Sequence, residues 1–445
     1  MKRKSVASST PEKPSKKPRP EVPDYHATAS IRDSLGEIIW PAPKDQIKTA
    51  TDFILECARS AQKTLIVPDK DTDGLTSGTI LLRTLTLLGL KHELVDVHLI
   101  EKGSSIHAES EREAMQRHGA SFIFVLDQGS RKSPPVVDAP HKCLVIDHHY
   151  AEDGDFPGGA SVINACDSPP VVTSSLLTYL LCEPLHPDVK AQCDWLCIMG
   201  THGDLGTTLK WEAPFPDMKD TFKKYTKKAL NDAVSSINAP RRTATYDVRS
   251  AWDILMNSSG PTDVLKHPRL LEARHEVADE VERCTHTAPK FTPDGKVAVF
   301  RISSAAQVHP IIATRWAGHL SSNKLDFILV ANSGYLPDKT NFSCRVPRCA
   351  RARDPPVDII ASLRKYAADA ASETLVERLG DSFARGHTVA SGGIVDTDEF
   401  EELMASMRVG EKASKSEEQK ASPAKNTKQS PQKNTLMNYF AKPEK

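Results

Sequence analysis

Cys143-Leu144-Val145-Ile146-Asp147-His148-His149 is an apolar run that stops on one carboxylate and two imidazoles. The run reads as a buried strand. A strand of this kind demands burial, whereas Asp-His-His at its lip demands a cation or a proton to hold it. The same junction recurs along the chain. Leu65-Ile66-Val67 leads into Asp69-Lys70-Asp71-Thr72-Asp73-Gly74, and Phe122-Ile123-Phe124-Val125-Leu126 leads into Asp127. Ile198-Met199-Gly200 leads into His202-Gly203-Asp204. Four apolar strands, each ending in carboxylate or imidazole, predict metal-assisted chemistry at the C-terminal edge of a parallel sheet.

Working outward, short apolar segments alternate with helical ones over residues 36–215, which predicts a parallel α/β domain. A helix is expected over 75–88, directly after the first strand, with a tight turn at Gly74 and its first amides facing the site. Residues 216–290 are polar and helical and read as a connector. Within them Lys219, Lys223, Lys224, Lys227 and Lys228 stand against Asp220 and Asp232, a face that suits a polyanion or plain solvent equally. Strands return at 296–302 and 325–330, followed by a helix over 358–379 and a glycine-bearing turn over 386–393. Residues 291–410 therefore read as a second, smaller α/β domain, with the active site expected in the cleft between the two. The ends, 1–35 and 411–445, are polar and proline-rich and read as disordered tails.

Composition narrows the setting. The 445 residues suggest two or three domains, and 58 basic against 58 acidic residues exclude a generic polycation. The first 20 residues nevertheless hold seven Lys or Arg against Glu12 alone, and Lys16-Lys17-Pro18-Arg19 reads as a nuclear localisation signal. Nine cysteines without a Cys-x-x-Cys pair fit a reducing compartment, with thiols packed as small hydrophobes. A zinc site on Cys193 and Cys197 is disfavoured, because no second pair accompanies them. No signal peptide opens the chain, and no apolar run reaches the roughly 18 residues of a spanning helix, so no membrane is expected as a partner.

Two divalent ions about 3.5–4 Å apart need a bridging carboxylate and separate ligands for each. Asp71 and Asp73 lie where a strand turns and can splay to serve neighbouring ions, while Asp127 and Asp204 come from other segments. His148 adds a nitrogen ligand, which moves the preference from Mg2+ towards Mn2+. His149 is then free to hydrogen-bond a phosphate oxygen or orient a ligand. Any one of these acids reads equally well as a helix N-cap or loop acid; the metal reading rests on all four segments together.

Asp71-Thr72-Asp73-Gly74 with Ser77, Asp127, Asp147-His148-His149 and Asp204 resemble, in order, the four motifs of the DHH phosphoesterase superfamily. Val162-Ile163-Asn164 is similar to its RecJ-type branch. Ser343-Cys344-Arg345, and the loop that starts at Gly386-His387 and ends at Gly392-Gly393, resemble the DHHA1 module that often follows, so the likeness covers roughly residues 60–400. Arg385 departs from the module, standing where its loop usually begins with glycine. Asp69 departs in spacing from relatives with a His-based first motif, and is either a ligand or a supporting acid. The resemblance implies metal ligands Asp69, Asp71, Asp73, Asp127, His148 and Asp204, and catalytic roles for Asp147, His148 and His149. It implies substrate contacts from His149, Ser343, Arg345, Gly386, His387, Gly392 and Gly393. Near the end, Lys433-Asn434-Thr435-Leu436-Met437-Asn438-Tyr439-Phe440 resembles a PCNA-interacting peptide, in which Leu436, Tyr439 and Phe440 would enter a pocket of the sliding clamp. Gln432 lies one residue earlier than that pattern asks.

The expectation is a nuclear exonuclease using two divalent metal ions, Mn2+ favoured and Mg2+ possible, on single-stranded DNA or RNA. DNA and 5′ to 3′ polarity are favoured. One alternative is a phosphoesterase of short oligonucleotides or nucleotide bisphosphates, since no added single-strand-binding domain is evident. The other is a catalytically silent replication scaffold, which converging, mutually repelling carboxylates argue against. The sequence leaves the oligomeric state open.

Overall fold

The computed structural model describes residues 28–380 and 382–412. The basic stretch 16–19 and the peptide bearing Leu436, Tyr439 and Phe440 lie outside the described residues. The chain divides into two compact units, one running to residue 283 together with 305–308, the other taking 284–304 and 309 onward.

The first unit contains α1 (Lys44–Ser60), β1 (Thr64–Pro68), α2 (Thr72–Leu87), β2 (Val95–Val97), α3 (Glu109–Arg117), β3 (Phe122–Leu126), β4 (Lys142–Asp147) and β5 (Ser161–Asn164). After the sheet come α4 (Ser174–Cys182), α5 (Asp188–Leu205), α6 (Lys219–Lys224), α7 (Lys227–Ile237), α8 (Val248–Asn257), α9 (Pro261–Lys266) and α10 (Pro268–Thr285). The five strands form one sheet in the order β2-β1-β3-β4-β5, and every pairing is parallel. Both faces are covered, which is why the strands are continuous apolar runs rather than alternating ones. Ile66, Phe124, Leu144 and Ile146 pack into one buried cluster, and Leu65, Val67, Ile123, Val125, Cys143 and Val145 into another.

Strand order reverses between β1 and β3, and the crevice beyond the carboxyl ends of such a pair is where open α/β sheets bind ligands. Register brings the acids there together. Pro68 pairs with Leu126, and Leu126 with Ile146. The ladder then runs one residue further, Asp69 N donating to Leu126 O at 2.9 Å and Asp127 N to Ile146 O at 3.0 Å.

Several expectations need correction. Ile198-Met199-Gly200 is not a strand; it lies inside α5. That helix is buried from Trp195 to His202 without a break, because it packs against α2, α4 and α7. A helix covered on all sides has no polar face, so a short apolar run within it cannot be told from a strand by pattern. The helix after β1 starts at Thr72 rather than Leu75, which places Asp73 in its first turn. The lysine-rich helix is two, α6 and α7, broken at Tyr225 and capped again by Thr226, whose side chain accepts from Ala229 N. Residues 216–283 do more than connect: Leu230, Ala233, Ile237 and Leu255 are fully buried in the first unit's core. Cys193 and Cys197 are buried free thiols, and burial pushes Cys193 up to about 12, so they serve as small hydrophobes. Among the described residues, no helix is long and apolar enough to cross a membrane.

The second unit contains β6 (Lys290–Phe291), β7 (Val297–Ile302), α11 (His309–His319), β8 (Phe327–Leu336), β9 (Lys339–Arg345), α12 (Ile359–Ala368), α13 (Leu375–Leu379), β10 (Arg385–His387), β11 (Ala390–Asp396) and α14 (Thr397–Ser406). Its six-stranded sheet has the order β10-β11-β9-β8-β7-β6, with β7 and β8 parallel and the other pairs antiparallel. The helix expected over 358–379 is divided into α12 and α13, and the turn expected over 386–393 is the β10–β11 hairpin.

His309, the first residue of α11, is buried with its Nδ1 unpartnered. Burial, then the nearby Arg345 charge, push its imidazole down to about 3. The unfolded chain therefore binds the proton more readily, and stability is lost as pH falls below about 6.5. We expect acidification to about pH 5 to cost the second unit about 2 kcal/mol through this residue alone. His309→Phe should lose correspondingly less between pH 7.5 and 5 (about 1.5 pH units on the acid side of the free imidazole), as measured by hydrogen exchange in α11 and β8. Equal losses in both chains would refute the assignment.

Candidate metal centre

Asp71 ends the turn after β1 and caps α2, its Oδ1 accepting from Asp73 N at 3.0 Å and Gly74 N at 3.4 Å. The N-cap reading of this acid is thus true of one oxygen, while the other lies 4.0 Å from Arg241 Nη2. Gly74 is required by packing rather than by a turn: a Cβ there would stand 2.5 Å from the Asp69 carbonyl oxygen. Asp73 is fully buried and takes two amides from the start of α4, Ser174 N at 2.7 Å and Ser175 N at 3.0 Å. Asp127 follows β3 at φ 61, a left-handed conformation that is uncommon outside glycine and asparagine and that concentrates at functional sites. Its Oδ1 accepts from Ser174 Oγ at 2.9 Å.

His148 stands among these acids. Its Nε2 is 3.2 Å from Asp204 Oδ2, 3.3 Å from Asp127 Oδ1 and 3.9 Å from Asp73 Oδ2. The nitrogen is buried yet aligned for a hydrogen bond with none of them. Three groupings place ligand atoms within 4.8 Å of one another: Asp69, Asp71 and Asp127; Asp73, His148 and Asp204; and Asp127, His148 and His149. Asp127 belongs to two of them, the position a bridging carboxylate takes. An orphaned imidazole nitrogen ringed by carboxylates is what divalent ions would satisfy, so the residues present fit a pair of such ions.

Electrostatics agree. Burial first, and then the Asp204 charge, push the Asp73 carboxyl up to about 6. Burial and Asp73 raise Asp127 well above the carboxylate range. Burial alone would lower His148, but Asp127 and Asp204 outweigh it and raise the imidazole well above its ordinary value. Burial would raise Asp71, but Arg241, Lys70 and the Gly74 and Asp73 amides hold it below its ordinary value.

Asp147 does not join the groupings. It is fully buried and accepts from Ser130 Oγ at 2.7 Å, His148 N at 2.7 Å and His149 Nδ1 at 2.8 Å. It fixes the His149 imidazole through Nδ1 and the His148 backbone through its amide. His149, with a side chain 58% exposed, faces outward, and Asn164 holds its carbonyl at 3.0 Å. Asp204 is the penultimate residue of α5, brought in by a helix end. His202, two residues earlier, is buried against Trp211 and Phe222 and pushed down to about 4 by burial.

Ser130, Ser174, Ser175 and Arg241 are parts of the site that sequence reasoning misses. Thr173-Ser174-Ser175 before an apolar run is a legible helix start, but its aim at Asp73 is not. Arg241 carries no signal; its Nε is held by Asn238 Oδ1 at 3.0 Å and its Nη1 by Gln307 Oε1 at 3.1 Å.

In the second unit, Ser343 on β9 is opposite Gly392 on β11, Arg345 is opposite Ala390, and Gly386 on β10 is opposite Ser391. The separated motif segments are therefore neighbours in one sheet, and His387 ends β10. Arg345 Nη1 donates to Ser343 Oγ at 2.9 Å and to Cys344 O at 2.8 Å. Gly392 and Gly393 are not loop residues open to a phosphate; they lie within β11. A Cβ at Gly392 would meet Phe342 O at 2.5 Å, and one at Gly393 would meet Ser382 O at 2.7 Å and the Phe342 ring at 2.8 Å, so the sheet's own packing demands both glycines.

Residues 63–201 match the DHH family, N-terminal domain. In fold the chain is similar to RecJ from Thermus thermophilus in complex with Mn2+, at 16% identity and a TM-score of 0.57 over 83% of this chain and 55% of that one. It is similar to an exonuclease RecJ bound to manganese, at 19% identity and a TM-score of 0.54 over 81% of this chain and 93% of that one. A third likeness is to the DHH domain of a member of the s1p family of ribosomal proteins, at 15% identity and a TM-score of 0.57 over 82% of this chain and 90% of that one. The chain spans about half the length of the Thermus protein. No curated protein matches it in sequence. At these identities the likeness is one of fold.

Proposed function

We propose that the chain is a two-metal phosphoesterase of the DHH superfamily, acting as a manganese-dependent exonuclease on single-stranded nucleic acid, with DNA and 5′ to 3′ polarity favoured. The observation that carries this reading is the unpartnered His148 Nε2 among Asp73, Asp127 and Asp204 at the switch point of a parallel sheet. The DHH match over 63–201 and the fold likeness to manganese-bound RecJ support it.

Asp69, Asp71 and Asp127 would hold one ion, and Asp73, His148 and Asp204 the other, with Asp127 placed to serve both. Bound there, the ions supply a Lewis acid for a phosphoryl oxygen and lower the pKa of a water. The chain's own residues do the rest. Asp147 takes the Nδ1 proton of His149 in a hydrogen bond, which turns Nε2 outward. Burial opposes protonation of His149, but Asp147 outweighs it and raises the ring's pKa, which favours the form that offers an Nε2–H to a phosphate oxygen. Arg241, held by two neutral amides, brings a fixed positive charge to the Asp71 side. Ser343, Arg345, Gly386 and His387 of the second unit are proposed to grip a further phosphate, with Gly392 and Gly393 shaping the strand they share. On sequence grounds we place the protein in the nucleus, recruited by PCNA through Leu436, Tyr439 and Phe440.

The test is hydrolysis, with Mn2+ and then Mg2+, of end-labelled single-stranded DNA and RNA from dinucleotides to long oligomers. An Asp147→Ala/His148→Ala chain serves as the blank. We expect loss of long DNA from its 5′ end, absent in the variant. Cleavage confined to the shortest species would move the substrate to oligonucleotides or nucleotide bisphosphates. An ion-loaded protein that cleaves nothing would make it a silent scaffold.

A further inference from the structure

By sequence the lysines of α6 and α7 suit a polyanion or solvent equally, and the structure separates them into two kinds. Lys219, Lys223 and Lys228 are paired with Asp217, Asp220 and Asp232. Lys224 and Lys227 are exposed and form no ion pair among the described residues. Each lies over a ring instead: Lys224 Nζ is 5.0 Å from the centroid of Tyr225, and Lys227 Nζ is 5.2 Å from that of Phe222. Lys227 is also the first residue of α7, where the helix dipole opposes a cation. The Phe222 ring offsets that opposition while leaving the ammonium exposed.

These cations are joined to the metal centre by packed rings. The Phe222 ring lies 6.1 Å from His202 at 25° and 6.0 Å from Trp211. His202 sits two residues before Asp204 on α5. Two exposed cations without carboxylate partners, held in place over half-buried rings, are what the phosphates of a single strand need. Resting on the phosphoesterase reading above, we propose that Lys224 and Lys227, with Tyr225 and Phe222, form a track for the backbone of a single-stranded nucleic acid extending from the Asp204 side of the centre. A strand bound there is held by nucleotides away from the cleaved bond, so the track discriminates by length: long strands feel it and dinucleotides do not.

The experiment uses the full chain with Ca2+ in place of Mn2+, to hold strands uncut. Binding of a fluorescein-labelled thymidine strand of about 20 residues, long enough to occupy an extended groove, is measured across a KCl series. The unsubstituted chain is compared with Lys224→Gln/Lys227→Gln and with the charge-keeping Lys224→Arg/Lys227→Arg. Dinucleotide hydrolysis with Mn2+ is measured on all three. The glutamine chain should bind the strand about tenfold more weakly at low salt, with a salt slope flatter by about 1.4, or about 0.7 for each cation removed. The arginine chain should keep both values, and dinucleotide hydrolysis should be the same throughout. Unchanged affinity and slope in the glutamine chain would overturn the track while leaving the enzyme reading intact. So would an equal loss on dinucleotide and long strand, which would make the lysines part of the centre itself. If the unsubstituted chain binds no single strand at any salt, the single-strand reading falls with the track.

Discussion

An Asp127→Asn chain should melt higher than the unsubstituted chain in EDTA, and should no longer be stabilised by Mn2+. Both halves follow from one placement. Asp127 is buried beside Asp73, and burial with that neighbour raises its carboxyl well above the usual range. A carboxyl whose folded pKa exceeds its unfolded one loses stability as pH rises through that interval, so at neutral pH the metal-free fold bears an unfavourable charge. Asparagine cannot ionise, keeps the oxygen that accepts from Ser174 Oγ, and tolerates the φ of 61. A gain of even about 1 kcal/mol would raise the midpoint by about 2–4 °C in a unit of this size. The ions would lose their shared ligand. Losing a supporting hydrogen bond to a metal ligand costs about 10–100-fold in affinity, so losing the ligand itself should cost at least about 100-fold. Calorimetric melting in EDTA and in Mn2+ reads both. A variant that melts lower in EDTA, or that still gains stability from Mn2+, would remove Asp127 from the role assigned to it.

Gly200→Ala is the second large effect, and its sign is the test. In the interior of an ordinary helix, replacing glycine by alanine stabilises by about 0.5–1 kcal/mol. At Gly200 the new Cβ would fall 2.1 Å from Ser175 Oγ and 2.4 Å from both Ser175 Cβ and Thr76 Oγ1. Those atoms belong to α4 and α2, so α5 must move away from both helices. Overpacking of this kind costs about 1–3 kcal/mol. It would also part the ligands, because Asp204 rides on α5, Asp73 on α2, and the amides holding Asp73 on α4. We expect a lower melting point and weaker Mn2+ binding together. Gly318→Ala in α11, where a Cβ would meet nothing within 4 Å, is the control and should be neutral or stabilising. A Gly200→Ala chain that behaves like the control would show that α5 does not need this close approach.

The sequence by itself determined the three strands β1, β3 and β4 and the acids at their ends. Their runs are apolar throughout because the sheet is covered on both faces, and Asp69, Asp127 and Asp147 follow at the ends of those runs. The helix after β1 is legible too, but not its start: the pattern begins it at Leu75, and the fold begins it at Thr72, where Asp71 caps it through its own side chain. What the sequence could not determine is how the remaining pieces reach those acids. Ile198-Met199-Gly200 has no period to read, because α5 is enclosed on all sides, so the pattern puts Asp204 on a strand end and the fold puts it on a helix end. Asp73 takes its amides from Ser174 and Ser175, more than 100 positions away, and Arg241 reaches Asp71 only through a turn between α7 and α8. Likewise, only packing showed that Asp147 holds the His149 ring and the His148 amide, that Gly392 and Gly393 yield space to Phe342, and that Lys224 and Lys227 lie over rings. Burial and backbone register are local consequences of residue type, and a sequence displays them. Contacts between elements far apart in the chain depend on which helix faces meet, and only the folded structure decides that.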